Sequence, residues 1–376
     1  MMAARTYLDW NATAPLRPEA RTAMLAALDL QGNPSSVHAE GRAARAVVED
    51  ARERVAALVG AAPADVVFTS GATEANVTVL SGGWSTILVA DIEHESVLHP
   101  AKASRARIIE IPVDATGSID AGAIADEILC SSEPLGRALL TLQMANNETG
   151  AIQPVAAVAA FARAHGIATH TDAVQACGRL VVDVGALGID YLSLSAHKLG
   201  GPKGVGALIL RAGAALPNLL LGGGQERRRR AGTENVAGIA GFGAAAECAA
   251  RELAHVDRQR ALRDRLECEI VRQTPDAVII GARSERLRNT SCIALAGKTA
   301  ETLLIKLDLA GIAVSSGSAC SSGKVGASHV LRAMGIAPDL ARAAIRISLG
   351  ATTTDDDIAR FLAAWTTITR TAAKAA

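Results

Sequence analysis

Two stretches decide the fold: Ile167-Ala168-Thr169-His170-Thr171-Asp172, and Tyr191-Leu192-Ser193-Leu194-Ser195-Ala196-His197-Lys198-Leu199-Gly200-Gly201-Pro202-Lys203-Gly204. Each begins as a short apolar or β-branched run and ends in polar, chemistry-bearing side chains. Runs of the same kind recur at Val66–Thr69, Thr86–Asp91, Arg107–Ile111, Ala138–Gln143 and Gly204–Leu210, separated by helical stretches such as Val155–His165. Strand and helix in alternation predict an α/β fold with a mainly parallel seven-stranded sheet covered on both faces. In open parallel sheets, ligands lie at the carboxyl ends of the strands, which is where these polar residues fall.

With 376 residues, the chain exceeds what one hydrophobic core usually serves. A charge-laced stretch around Ala244–Leu266 marks a boundary near residue 254. This gives a large domain over 16–254 and a smaller α+β domain from 1–15 with 255–376, whose strands are read at Ala277–Ile280, Ser291–Ala296, Ile312–Ser315 and Ala344–Ser348. Ser36–Val59 reads as an amphipathic helix that stops at Gly60. Lys+Arg 38 against Asp+Glu 38 leaves no sequence-wide field for nucleic acid or an anionic membrane. The hydrophobic fraction is 49% with only 2% aromatic, so the core must be aliphatic, with closely packed helices. Six cysteines without a C-x-x-C pair support neither a disulfide framework nor a zinc ribbon. No window reaches the length of a membrane span and no leader is recognised, so the expected location is cytoplasmic.

Three segments carry the chemistry. Phe68-Thr69-Ser70-Gly71-Ala72-Thr73-Glu74-Ala75-Asn76 reads as strand, small-residue turn and helix, either an anion cradle or an ordinary cap. Asp172 ends a strand, where its carboxylate can pair with a protonated heterocycle nitrogen or cap the next helix. A metal reading of His170 and Asp172 lacks a third ligand. Lys198 follows an apolar strand and precedes glycines that leave room for something bulky, which suits an amine nucleophile; a solvent-facing loop lysine is the alternative. A reactive lysine, an upstream acid and a phosphate turn are the parts that pyridoxal 5'-phosphate needs.

The sequence resembles the class V, fold-type I pyridoxal phosphate enzymes, and within them the NifS/IscS group of cysteine desulfurases. The likeness runs end to end: Tyr7-Leu-Asp-Trp-Asn-Ala-Thr13, Gly32-Asn-Pro-Ser-Ser36, Thr69-Ser-Gly-Ala-Thr-Glu74, Glu93-His94, Asn146-Asn-Glu-Thr-Gly150, Asp172-Ala-Val-Gln175, Ser195-Ala-His-Lys198, Gly222-Gly-Gly-Gln-Glu-Arg227, Ala231-Gly-Thr233, Ser315-Ser-Gly-Ser-Ala-Cys320 and Ile345-Arg-Ile-Ser-Leu-Gly350. It implies Lys198 as the cofactor-bound lysine, Asp172 on the pyridinium nitrogen, Gln175 at the ring hydroxyl and His94 stacked on the ring. Ala72, Thr73, Ser195 and His197 would hold the phosphate, with Thr233 reaching in from a second subunit of a homodimer. Asn146 would lie beside ring and substrate, and Arg346 would grip the α-carboxylate of L-cysteine.

Cys320 sits among small polar residues, a setting that suits a reactive thiol; Cys130, Cys177, Cys248, Cys268 and Cys292 read as core fillers. The resemblance implies that Lys198 removes the substrate α-proton and that Cys320 takes up the sulfur as a persulfide, leaving L-alanine, with His94 shuttling a proton. An iron–sulfur scaffold or another sulfur-acceptor protein would receive it, and Cys320 could serve there as a shared cluster ligand, with no metal intrinsic to the chain. Ser-Gly-Lys-Val after Cys320 is similar to the nitrogen-fixation branch. A selenocysteine lyase or another class V aminotransferase is the alternative. The Arg227–Arg230 run reads as a solvated face or partner contact, with cofactor-phosphate binding as the other reading.

Overall fold

The computed structural model describes residues 5–130, 133–214, 216–317 and 328–373. Cys320 lies outside the described residues. The large sheet contains β1 (Val66–Thr69), β2 (Thr86–Ala90), β3 (Arg107–Ile111), β4 (Ala138–Thr141), β5 (Ala168–Asp172), β6 (Tyr191–Ser195) and β7 (Gly206–Leu210), in the order β1-β7-β6-β5-β4-β2-β3. From β6 through β3 the neighbours are parallel, whereas β7 runs antiparallel to both β1 and β6. The turn Leu199–Val205 is too short for a crossover, so β7 must return alongside β6 as a hairpin. Every residue of β1, β2, β4, β6 and β7 is buried, as expected for strands covered on both faces.

Small side chains let the covering helices approach closely. Pro18–Leu28 and Ala39–Leu58 pack on Val236–Glu252. A Cβ at Gly243 would stand 2.6 Å from the Ala51 backbone, and one at Gly241 2.6 Å from Met24. That contact explains how a core so poor in aromatics still closes. The helix read from Ser36 begins at Ala39, because His38 caps it by accepting from Gly41 N.

A second sheet contains β8 (Ala277–Ile280), β9 (Thr290–Leu295), β10 (Ser315–Ser316) and β11 (Ala344–Ser348), ordered β10-β11-β9-β8 and antiparallel throughout. The run read as one strand over Ile312–Ser315 is split: Ile312–Ala313 pairs in parallel with Thr6–Tyr7, and only Ser315–Ser316 joins the sheet. Leu8 and buried residues from Leu262 to Ile368, including Phe361 and Trp365, form a hydrophobic cluster of their own. The charge-laced stretch is two helices, Val236–Glu252 and Val256–Gln273, joined by a 3-10 turn over Leu253–His255. No described helix is long and apolar enough to cross a membrane.

Cys177, Cys248 and Cys292 are buried, whereas Cys268 is exposed on the outer face of Val256–Gln273 and fills no core. Burial pushes the Cys292 thiol up to about 12 and raises Cys177 further, so neither supplies a thiolate near neutrality.

Candidate active site

The carboxyl ends of β1, β2, β4, β5 and β6 converge on a cavity of about 480 Å³. Its walls include Ser70–Thr73, His94, Ser96, Gln143, Asn147, Asp172, Gln175, Ser195, His197, Lys198, Lys203 and Arg346, closed by Asn11–Thr13 from the start of the chain.

Lys198 is set by a tight turn. Leu199 N and Gly201 N both donate to Ala196 O (3.0 and 2.9 Å), and Gly200 has φ +81°, a conformation that favours glycine. The Lys198 Nζ donates to the carbonyls of Asn11 (2.5 Å) and Ala12 (2.9 Å), which hold the amine inside the cavity. His197 faces Thr13 Oγ1 at 3.2 Å; burial, then the charges of Lys198 and Lys203, bring it down to about 4, so its imidazole is neutral.

Asp172 does both things that its position allowed. Its Oδ1 accepts from Val174 N and its Oδ2 from Asn76 Nδ2, each at 2.9 Å, while the residue lines the cavity. Asn76 also donates to Ser96 Oγ (2.9 Å), and Ser96 presents its N–H and hydroxyl to His94 Nδ1 (3.1 and 2.8 Å). One buried amide therefore orients both the acid and the histidine. Behind Asp172, His170 is enclosed between Thr141 Oγ1 (2.8 Å) and Ser193 Oγ (3.0 Å), and burial brings it down to about 4.

The small-residue turn opens the helix Ala72–Leu80, so its first N–H groups face the cavity beside Ser195 and His197. A Cβ at Gly206 would meet the Gly71 backbone at 2.6 Å, so β7 must carry glycine for the turn to sit against the sheet. Behind the turn, buried Glu226 accepts from Phe68 N (2.9 Å) and pairs with buried Arg52 (2.7 and 2.9 Å). Glu226, Arg227 and Arg228 all have positive φ (46°, 57° and 64°). The arginine run is exposed over Arg227–Arg229, as a solvated face would be, and is tied down at points: Arg227 faces Glu49 (3.6 Å), Arg229 donates to Ala64 O (3.0 Å) and Arg230 to Glu74 (2.9 Å).

Two of the named residues are not on this wall, although Thr233 was assigned to the site of a second subunit. Asn146 is absent from the cavity wall: its Oδ1 accepts from Glu148 N and Thr149 N (2.9 Å each), fastening its own turn, and Asn147 takes the place beside the site. With two adjacent asparagines, the sequence alone does not say which one faces inward. Thr233 is exposed and lies off the wall of this single chain. Gln175 lines the cavity, but its Nε2 donates to Asn11 O (3.0 Å) and its Oε1 accepts from Arg179. Arg346, 3% exposed, donates to Asp9 Oδ1 (2.8 Å) and Asn147 O (3.0 Å), and its buried Nε has no partner among the described residues. Sequence reasoning assigned no role to Asp9, Asn11, Asn76, Ser96, Gln143, Asn147 or Lys203. Asp9 and Asn11 lie within a quoted motif and Asn76 one turn into the cradle helix, but nothing in the sequence showed where each side chain points.

The donor set fits pyridoxal phosphate: an amine held in the cavity, a carboxylate on its floor, and hydroxyl and N–H donors at a helix start. The chain belongs to the class V aminotransferase family, whose model matches residues 6–361. It is 42% identical over 369 residues, covering 95% of this chain and 92% of the relative, to the cysteine desulfurase IscS of Dictyoglomus turgidum. With a cysteine desulfurase of Cereibacter sphaeroides the identity is 44% over 370 residues, covering 95% and 94%. Among solved structures, a NifS-like protein of Rickettsia africae matches with TM-score 0.91 and 33% identity over 97% of this chain and 99% of that one. A structure described as SspA in complex with cysteine matches with TM-score 0.79 and 30% identity, covering 92% and 98%.

Proposed function

We propose that this class V chain is a pyridoxal phosphate-dependent cysteine desulfurase that converts L-cysteine to L-alanine and places the sulfur on Cys320. The observation that carries the reading is the convergence of Lys198, Asp172 and the Ser70–Thr73 turn on one cavity that Arg346 also reaches. The division into a body of 16–254 and one of 1–15 with 255–376 belongs to the same reading, since the cavity then lies between them.

When bound, the cofactor supplies an electron sink next to the substrate α-carbon. Lys198 binds it and then serves as the base that takes the α-proton, its stem fixed by the Ala196–Gly201 turn. Asp172, oriented by Asn76, holds positive charge at the ring nitrogen. Ala72, Thr73, Ser195 and neutral His197 cradle the phosphate. His94, whose Nδ1 is taken by Ser96, keeps its proton on Nε2 and can deliver it toward the leaving alanine. Arg346, which lines the cavity, offers its guanidinium to the substrate carboxylate. The Cys320 thiolate attacks the substrate sulfur: an S–S bond forms, the Cβ–S bond breaks, and the β-carbon gains a proton to become the methyl of alanine. The α-proton held by Lys198 is returned, so no external reductant enters.

Thr233 belongs to the phosphate cradle of a partner copy in a homodimer. Supporting this, its segment is bonded to an exposed apolar run, Leu219–Leu221, through Ala231 N to Leu220 O at 3.3 Å, and Leu221 is 85% exposed. The final acceptor is a sulfur-accepting protein such as an iron–sulfur scaffold, in the reducing interior of the cell. A pair of substitutions tests the reading. Lys198→Ala should lose the visible absorbance of bound cofactor, whereas Cys320→Ala should keep it and stop making alanine from cysteine. Parental desulfurisation by Cys320→Ala would remove the persulfide from the mechanism.

A further inference from the structure

Glu148 is fully buried and belongs to none of the groups assigned above. Its Oε2 accepts from Ser328 Oγ at 2.5 Å, and Ser328 in turn caps the helix His329–Ala333 by accepting from Leu331 N (3.1 Å). The same carboxylate oxygen occupies the space that a Cβ at Gly317 would need. Gly317 and Ser328 are the two described residues that flank 318–327, the segment containing Cys320. One carboxyl thus touches the chain on both sides of the thiol-bearing segment.

Glu148 is equally well tied to the substrate side. Its N–H is held by Asn146 Oδ1 (2.9 Å), and the preceding residue, Asn147, lines the cavity and accepts from Arg346 Nη1 through its carbonyl (3.0 Å). Burial raises its carboxyl, while Ser328, His329, Arg346 and His94 pull the other way, so the group stands among the residues of both walls. We propose that Glu148 is a positioning residue for sulfur transfer: it fixes both flanks of the Cys320 segment to the wall that presents Asn147 and Arg346. This rests on the desulfurase reading, and it separates two requirements of that reaction. The α-proton step, with Lys198 as its base, does not involve Cys320, whereas the sulfur step needs that thiol beside the same substrate.

The test uses the full chain loaded with pyridoxal phosphate, comparing Glu148→Ala, Glu148→Gln and Ser328→Ala with the parent. Two turnover readouts are followed: alanine formed from L-cysteine, and exchange of the α-proton of L-alanine with D₂O, which involves no sulfur. In the cofactor-free chain, alkylation of Cys320 by iodoacetamide is measured by peptide mass spectrometry against exposed Cys268. Glu148→Ala should lose alanine formation by about 10²-fold, the scale of a ~1 Å misplacement. It should keep proton exchange and change the Cys320 alkylation rate. Glu148→Gln, which still offers Ser328 an acceptor, should recover most of the loss. Should Glu148→Ala fail to fold, Ser328→Ala is expected to show the same split in smaller degree. Parental alanine formation in the folded variants overturns the proposal, as does a parallel loss of exchange and alanine formation. A parent chain that makes no alanine overturns the desulfurase reading itself.

Discussion

Replacing Arg346 by lysine keeps the charge and removes the planar fork. In the structure that fork serves two fixed acceptors, Asp9 Oδ1 at 2.8 Å and Asn147 O at 3.0 Å, and retains a buried N–H with no partner among the described residues. A lysine ammonium can satisfy Asp9 but cannot also present two parallel donors to a substrate carboxylate. Two charge-assisted hydrogen bonds at the low end of their range, ~1.5 kcal/mol each, amount to about 3 kcal/mol, or about 10²-fold in kcat/KM. The assay compares L-cysteine with L-cysteinamide, which lacks the carboxylate. In the parent L-cysteine should be strongly preferred, and Arg346→Lys should reduce that preference by about 10²-fold while leaving the amide nearly unaffected. A variant that keeps the parental preference would refute carboxylate recognition by Arg346. An equal fall for both substrates would refute it too, and would make Arg346 a structural partner of Asp9.

Three further outcomes follow from the geometry. Arg52→Met leaves the buried Glu226 carboxylate without its cation and should cost about 3–5 kcal/mol; adding Glu226→Leu should recover part of that in denaturant unfolding. Asn146→Ala should lower stability by about 1–3 kcal/mol, because it strands the N–H groups of Glu148 and Thr149, whereas Asn147→Ala should change the kinetics with cysteine more than the unfolding midpoint. Glu93 is fully buried; burial raises its carboxyl from 4.5 to about 8, the Gln143 N–H opposes, and Asp172 adds to the rise. Its proton is thus bound more tightly in the folded chain, so its contribution to stability is full below about pH 4.5 and is lost as pH rises through about 8. Glu93→Gln should flatten the parent's decline over that window by about 3–5 kcal/mol. An unchanged slope in the variant would mean that Glu93 does not titrate there.

The sheet was legible because strand length and alternation depend on neighbours along the chain. All seven runs form strands, and Asp172 and Lys198 stand at their carboxyl ends as read. Reversal of β7 was legible only through loop length, since Leu199–Val205 leaves no room for a crossover, whereas the apolar run itself has the same composition in either direction. The site was legible where a motif fixes the backbone, as in the Lys198 turn. It was less legible where the answer depends on which way a side chain points: Asn147 lines the cavity, whereas Asn146 fastens its own turn. Asn76 and Asp9 escaped for a related reason: they act on Asp172 and Arg346 across 96 and 337 residues of chain. The fate of the arginine run turned on Glu49, Ala64 and Glu74, partners that no local pattern announces.

The segment Thr6–Thr13 closes the cavity, and several of its anchors come late in synthesis, whereas Asn147 and His197 offer earlier ones. Thr6 pairs with Ile312, Asn11 N donates to Ser348 Oγ across 337 residues, and the Trp10 ring occupies the space that a Cβ on Gly350 would need. At roughly 5–20 residues per second on the ribosome, the opening residues wait on the order of 20–70 s for these partners. Asn11 and Ala12 in turn offer the two carbonyls that hold the Lys198 amine, so the wall built by the large sheet is tied through them to the second sheet. Pairing across 337 residues thus links the second sheet to the Lys198 amine, so a defect at Ser348 is expected to loosen it.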